Sequence, residues 1–108
     1  MVDKELVATV LEEAAGELVA HGWCRGTRKD TTTGNMCTLG ALEKVTLEKR
    51  NENHELLLAA RLAVIEAIGE YGLSINYTIV SWNDELDRVA DDAVTLLQKA
   101  AIQVRERV

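Results

Sequence analysis

The sequence predicts a single all-α domain over residues 1–108, with about four main helices and a short helical turn at 84–88. Apolar residues recur every three to four positions over long segments, which is the spacing of one helix face. The chain has no Phe, no Pro and only four aromatic residues, and its apolar fraction of 47% is mainly Ala, Leu and Val. Such residues suit closely packed helices better than β-sheets, and 108 residues suit one compact domain.

The first helix is predicted from about residue 4 to residue 20. Asp3 is its expected N-cap, and Gly22 ends it because glycine readily closes a helix. Its apolar residues form one continuous stripe. They are Leu6, Val7, Val10, Leu11, Ala14, Ala15, Leu18 and Val19.

An irregular segment rich in Gly, Thr, Arg, Lys and Asp follows over residues 24–35, and ordered loops of this length are often functional. A second helix is predicted over about 36–49, capped by Asn35 or a nearby Thr. Gly40 lies inside this helix, where a glycine is tolerable if another element crosses closely. We expect the corner at Trp23 to be that element.

The third helix is predicted over about 54–71, with Asn51 or Asn53 as its cap and Gly72 at its end. Apolar residues cover more than half of its circumference, so it should contact neighbours on two sides. Part of this surface is a candidate partner face. The face consists of Leu57, Leu58, Leu62 and Ile65.

Residues 73–80 alternate in polarity like a strand, but a lone strand has no partner in a helical chain. We interpret them as an extended connection or a short helix that leads to Trp82. The last helix is predicted over about 89–106, with Asp87 as its cap.

Both tryptophans are predicted to lie at junctions between helices, where they lock corners of the fold. A tryptophan in such a place is more often buried, with its ring N–H bonded, than exposed as a stacking platform for a ligand. Asn and Asp side chains beside it would cap the turn at 84–88. The predicted structural corners are Trp23, Cys37, Gly40, Trp82, Asn83 and Asp84.

A zinc site is the most specific chemical alternative. His21, Cys24, Cys37 and His54 supply two imidazoles and two thiols, which is a ligand set of tetrahedral zinc. Zinc ligands come in tight sequence pairs, however, and only the first two are close. We therefore expect no metal and no other cofactor. The alternative is a small-molecule or zinc-binding domain built around His21, Cys24, Cys37 and the 25–35 loop.

No catalytic residue is predicted. A nucleophilic Cys needs a base and an orienting group, and no motif joins Cys24 or Cys37 to the two histidines. The glycines of the loop match neither the phosphate-loop pattern nor the dinucleotide fingerprint. We therefore expect a protein that is not an enzyme.

The charge balance disfavours nucleic acid as a partner. Twelve basic and eighteen acidic residues give a net charge of −6, and such a protein repels phosphates unless it has a concentrated basic face. Arg25, Arg28 and Lys29 come nearest to one, and Asp30 offsets them. No apolar run approaches the roughly 18–20 residues that span a bilayer, and no signal peptide is recognisable. We expect no membrane partner, a cytoplasmic location and reduced thiols.

Several ordered motifs carry a resemblance to a known family. They are His21-Gly22-Trp23, Cys37-Thr38-Leu39-Gly40-Ala41-Leu42, Trp82-Asn83-Asp84 and, in the last helix, Val94, Leu97, Ala100 and Ala101. From about residue 5 to residue 102 the chain resembles a family of small proteins of unknown function from actinobacteria and their phages. Members often continue with a turn that bears Pro and Gly, whereas Glu85-Leu86-Asp87 stands here, so the turn geometry is expected to differ.

The resemblance implies a small, mostly helical, cytoplasmic protein with no assigned activity, and no catalytic or ligand residue is carried over from it. Together with the residues above, it favours an interaction or accessory protein that is encoded by or derived from a phage. We expect its partner to be a host protein or a second copy of the chain.

Overall fold

The computed structural model describes residues 2–48 and 53–107, and within them the fold is all-α, as predicted. The helices are α1 (Lys4–His21), α2 (Thr38–Glu43), α3 (His54–Ile68), α4 (Ile75–Asn83) and α5 (Ala90–Glu106), and α2 continues into a π-helical turn, Lys44–Glu48. The described residues form no strand, although Trp23 and Lys29 each make an isolated bridge to Met36.

The first and last helices pack along each other and carry much of the core. Their buried faces contain small residues, among them Ala8 and Ala14 on α1 and Ala100 and Ala101 on α5, so the two helix axes can approach closely. At the outer edge Arg105 donates hydrogen bonds to the Glu5 and Glu12 carboxylates. The bond from Arg105 lowers the pKa of Glu12. The predicted span, N-cap and end of α1 and the predicted span of α5 are confirmed. Val19 was wrongly assigned to the apolar stripe of α1, because its side chain is 72% exposed.

The central helix, α3, contacts α1, α2, α4 and α5, as its broad apolar surface predicted. Asn53 caps it and accepts a hydrogen bond from the Leu56 backbone N–H at 3.0 Å; the alternative cap, Asn51, lies outside the described residues. The predicted end at Gly72 is wrong. Gly69 already takes a left-handed conformation, with φ of 88°, and closes the helix at Ile68.

The start of α2 also differs from the prediction. Cys37, and not Asn35 or a threonine, is the cap, because its thiol accepts a hydrogen bond from the Gly40 backbone N–H at 3.3 Å. The helix therefore begins at Thr38. The last predicted residue of this helix, position 49, lies outside the described residues.

The ambiguous segment 73–80 folds mainly as α4, which Ser74 caps by accepting a hydrogen bond from the Tyr77 backbone N–H at 3.1 Å. The short helix thus precedes Asp84, and the helical turn predicted at 84–88 is wrong, since these residues form only non-helical turns. The predicted cap of the last helix, Asp87, is wrong as well. Val89 takes the N-cap position, and its backbone N–H donates to the Asp92 carboxylate at 3.0 Å.

Candidate functional site

Asn83 is the hydrogen-bonding centre of the predicted corners. Its buried Oδ1 accepts from the Trp23 ring N–H at 2.7 Å and from the Thr38 backbone N–H at 2.9 Å and hydroxyl at 2.8 Å. Its Nδ2 donates to the Cys24 carbonyl and to the Asp84 carboxylate, both at 3.0 Å. We call these five residues the Asn83 corner. Every polar atom of the amide is engaged inside the protein, so the corner joins α4, α2 and the loop after α1.

The two arginines of the 24–35 loop are tied to the protein surface. Arg25 lies over the Trp23 ring, 5.1 Å from its centre, and donates to the carbonyls of Leu86 and Arg88. Arg28 pairs with Glu43 at 3.2 Å. These contacts spread the loop charges over separate partners, so Arg25 and Arg28 do not make one basic face.

Gly40 is a point of close approach, but the element that crosses it is not the Trp23 corner. A Cβ atom at Gly40 would lie 2.9 Å from the Arg28 carbonyl carbon and closer still to its oxygen. The same carbonyl accepts a hydrogen bond from the Cys37 backbone N–H at 3.1 Å. The loop backbone at Arg28 therefore rests directly on α2.

The four candidate zinc ligands have separate contacts. His21 lies 3.2 Å from the Glu17 carboxylate, the Cys24 thiol donates to the Thr27 carbonyl, and the Cys37 thiol caps α2. His54 is the exposed first residue of α3. Within residues 2–48 and 53–107, no three His, Cys, Asp or Glu side chains are placed to hold a metal ion. The zinc set therefore does not assemble.

Burial raises the pKa of both thiols, that of Cys24 and that of Cys37. A raised pKa keeps a thiol protonated at neutral pH, and the protonated form is a poor nucleophile. Cys37 is buried and Cys24 partly buried. The burial and hydrogen bonds of the two thiols therefore favour a structural role for them: Cys37 caps α2, and both sulfur atoms pack against the rest of the protein.

We expect iodoacetamide to leave Cys37 unmodified in the folded protein and to alkylate Cys24 slowly. Both thiols should react rapidly in urea, because unfolding removes the burial that raises their pKa. Mass spectrometry of the intact protein measures this, and Cys24→Ser reports Cys37 alone. Alkylation of folded Cys37 at the rate of the urea-unfolded thiol would contradict the expectation.

The candidate partner face on α3 divides between core and surface. Leu57 and Ile65 are buried and belong to the core, so their assignment to a partner face is wrong. Leu58 and Leu62 are 43% and 46% exposed. Several other elements pack on α3, which accounts for its wide apolar surface without an external partner.

Three of the four aromatic residues line one groove beside the end of α3. The groove has a volume of about 120 Å³. Tyr71 and Tyr77 are 62% and 51% exposed, and Trp82 is partly buried. We call this surface the aromatic groove. It is lined by Ile68, Glu70, Tyr71, Gly72, Tyr77, Thr78, Ser81, Trp82 and Glu85.

Local hydrogen bonds hold the groove in shape. The Gly72 backbone N–H donates to the Thr78 hydroxyl at 2.8 Å, and that hydroxyl donates to the Ser74 carbonyl at 2.7 Å. The turn backbone at Gly72 lies against the Tyr77 ring, so that a Cβ there would be 3.1 Å from the ring. The Tyr77 side chain is thus supported by the turn between α3 and α4.

Arg88 does not line the groove, but it covers one face of Trp82, which does. The guanidinium lies 3.8 Å from the ring centre, donates to the Trp82 carbonyl at 2.9 Å and pairs with Glu85 at 2.8 Å. Trp82 was predicted as a buried corner; its side chain packs against the core but is only partly buried, and it also lines the groove. Tyr71 and Tyr77 were not singled out by the sequence. Their clustering within residues 71–82 of a chain with few aromatics is the signal that could have found them.

Comparison with known proteins identifies the family to which the chain belongs. No curated protein and no solved structure matches the chain. None of the described helices is long and apolar enough to cross a membrane. Residues 3–103 match a family described as a family of unknown function, DUF6197, which covers the span over which the motifs carried their resemblance. The chain belongs to this family of unknown function.

Proposed function

We propose that the protein is a non-enzymatic interaction protein that binds a partner protein through the aromatic groove. The observation that carries the proposal is the gathering of Tyr71, Tyr77 and Trp82 in one groove, with the two tyrosines more than half exposed. Tyr, Trp and Arg are enriched among the residues that dominate binding energy at protein interfaces. Rigid rings also lose little conformational entropy when a partner covers them.

The size of the groove favours a protein segment over a small molecule. Pockets for cofactors and drug-sized ligands measure about 300–1,000 Å³, whereas this groove measures about 120 Å³. It therefore suits a single inserted side chain. A second pocket, of about 270 Å³ beside Cys37 and Asp84, is where the small-molecule alternative would apply. The engaged Cys37 thiol and Asp84 carboxylate weigh against that alternative, because both already accept hydrogen bonds within the fold.

The biological setting is part of the same proposal. The resemblance to proteins of actinobacteria and their phages supports a cytoplasmic accessory protein, encoded by or derived from a phage, whose partner is a host protein. The protonated thiols and the fully bonded Asn83 amide support a role without catalysis, since these groups are occupied in holding the fold together.

We expect a variant that carries both Tyr71→Ala and Tyr77→Ala to bind its partner at least about tenfold more weakly, the loss typical of removing interface anchors. The test combines quantitative affinity capture from lysate of the host bacterium with light scattering over a range of concentrations. Because both rings are largely exposed, circular dichroism should show little change in melting.

A control variant removes exposed apolar side chains elsewhere, with Val19→Ala and Ile102→Ala. It should retain partner binding. Equal capture by the tyrosine variant and the wild type would move the binding site away from the groove. A wild-type chain that stays monomeric and captures no protein would overturn the proposed function.

A further inference from the structure

We infer that the aromatic groove recognises a basic segment of its partner, with one Lys or Arg side chain placed against the Tyr71 and Tyr77 rings and beside the Glu70 carboxylate. This inference rests on the proposed function and names the chemistry of the partner.

The first support is the sign of the charges around the groove. Glu70 and Glu85 line it, and Glu66 lines an adjoining hollow that shares Glu70 and Tyr71 with it. No Lys, Arg or His lines either depression within the described residues. A cationic group that approaches this surface therefore meets carboxylates and aromatic rings. The net charge of −6 acts in the same direction at longer range.

The second support is that one carboxylate remains open to a partner. Glu85 pairs with Arg88 and Glu66 with Arg107. Glu70 is exposed, and it takes part in none of the ion pairs formed within the part of the chain that the structure describes. It stands between the adjoining hollow and the groove, next to Tyr71, so an incoming cation can reach the ring and the carboxylate together.

The third support is that the molecule already contains a cation held between an aromatic ring and a carboxylate. Arg88 lies over Trp82 at 3.8 Å and pairs with the Glu85 carboxylate at 2.8 Å. A cation over an aromatic ring is attracted by the negative face of the ring, and a neighbouring carboxylate adds to that attraction. Tyr71, Tyr77 and Glu70 offer the same two kinds of group, and none of the described Lys, Arg or His side chains lines the groove with them.

The test uses short Gly/Ser peptides that carry several arginines, several lysines or several glutamines. Fluorescence anisotropy of labelled peptides gives the affinity, and two-dimensional NMR of the protein locates the binding. We expect the arginine and lysine peptides to perturb residues 68–82, the glutamine peptide to bind at least about fivefold more weakly, and added salt to reduce binding. Glu70→Gln should weaken binding of the arginine peptide about fivefold.

Glu106→Gln is the matched control, because it removes the same charge from an exposed position on α5. It should change the affinity less than about twofold. The inference is overturned if the glutamine peptide binds as tightly as the arginine peptide, or if Glu106→Gln weakens binding as much as Glu70→Gln. The latter result would indicate attraction to the overall charge alone.

The two proposals fail separately. If capture of the partner depends on the two tyrosines but the peptides show no preference for cations, the groove binds a protein of other chemistry and only the inference is lost. If the arginine peptide binds the groove but capture of the partner is unchanged by the tyrosine variant, the proposed function is lost. A wild-type dimer that Glu70→Gln dissociates would identify a second copy as the occupant and would overturn the inference of a separate partner.

Discussion

Replacement of Asn83 by leucine is expected to lower the free energy of unfolding by about 3–5 kcal/mol. The side chain is fully buried and forms five hydrogen bonds at the junction of three segments. Leucine has a similar size but can neither accept nor donate, so the Trp23 ring N–H and the Thr38 donors would remain buried without their partner. An unsatisfied buried group costs about 1–3 kcal/mol, and three such groups account for a loss of this size.

Asn76 on the same helix supplies a matched control. Its Oδ1 is buried without a hydrogen-bond partner, so Asn76→Leu removes no hydrogen bond of that atom and should cost less than about 1 kcal/mol. Urea unfolding followed by tryptophan fluorescence measures both variants, and the far-UV circular dichroism signal confirms the transition. Similar losses for the two variants would show that the Asn83 network does not stabilise the corner.

Replacement of Gly40 by alanine is the second large expected effect, a loss of about 2–3 kcal/mol. The added methyl group would collide with the Arg28 carbonyl group. That carbonyl cannot simply withdraw, because it accepts the Cys37 backbone N–H at 3.1 Å, and moving the loop would break this bond and disturb the cap of α2. The intrinsic helix preference of alanine, about 1 kcal/mol over glycine, offsets only part of the collision.

Gly16→Ala is the matched control for Gly40→Ala. Gly16 lies in α1, and no atom beyond its neighbours approaches within 4 Å of an added Cβ. Its replacement should therefore raise the free energy of unfolding by about 0.5–1 kcal/mol. Urea unfolding of the two variants should show changes of opposite sign. A stabilising Gly40→Ala would mean that the loop yields easily and that glycine is not required there.

The helices that the sequence predicts well are those governed by local rules. α1 and α5 have a clear apolar stripe, and the N-cap of α1 is a common capping residue, Asp3. The errors occur where several local signals compete. Gly69 and Gly72 both offer an end for α3, and Asn35 and Cys37 both offer a start for α2. The two glycines satisfy the same local preference, whereas Asn35 is the better N-cap by local preference and Cys37 is the cap in the structure. Packing against the rest of the chain therefore selects between the candidates.

The corner motifs show a similar division. Trp23 and Asn83 stand out in the sequence because large or polar side chains at helix junctions need partners, and Gly40 stands out because a glycine inside a helix permits a close approach. The partners themselves are 12 to 60 positions away, as in the bond from Trp23 to Asn83 and the contact of Arg28 with Gly40. No sequence spacing encodes such contacts, because they depend on how the helices are arranged.

Helical class, the spans of the two long terminal helices and the expectation of a family without known activity therefore follow from residue pattern, capping chemistry and motif order. The aromatic groove does not. It exists because residues 73–80, whose alternation suits either strand or helix, become α4 when packed on α3, and this register turns Tyr77 outward beside Tyr71 while Asn83 turns inward. The outward position of Tyr77 and the inward position of Asn83 both result from the burial of one side of α4. Which side is buried depends on how the helices pack together, and the local sequence does not determine it.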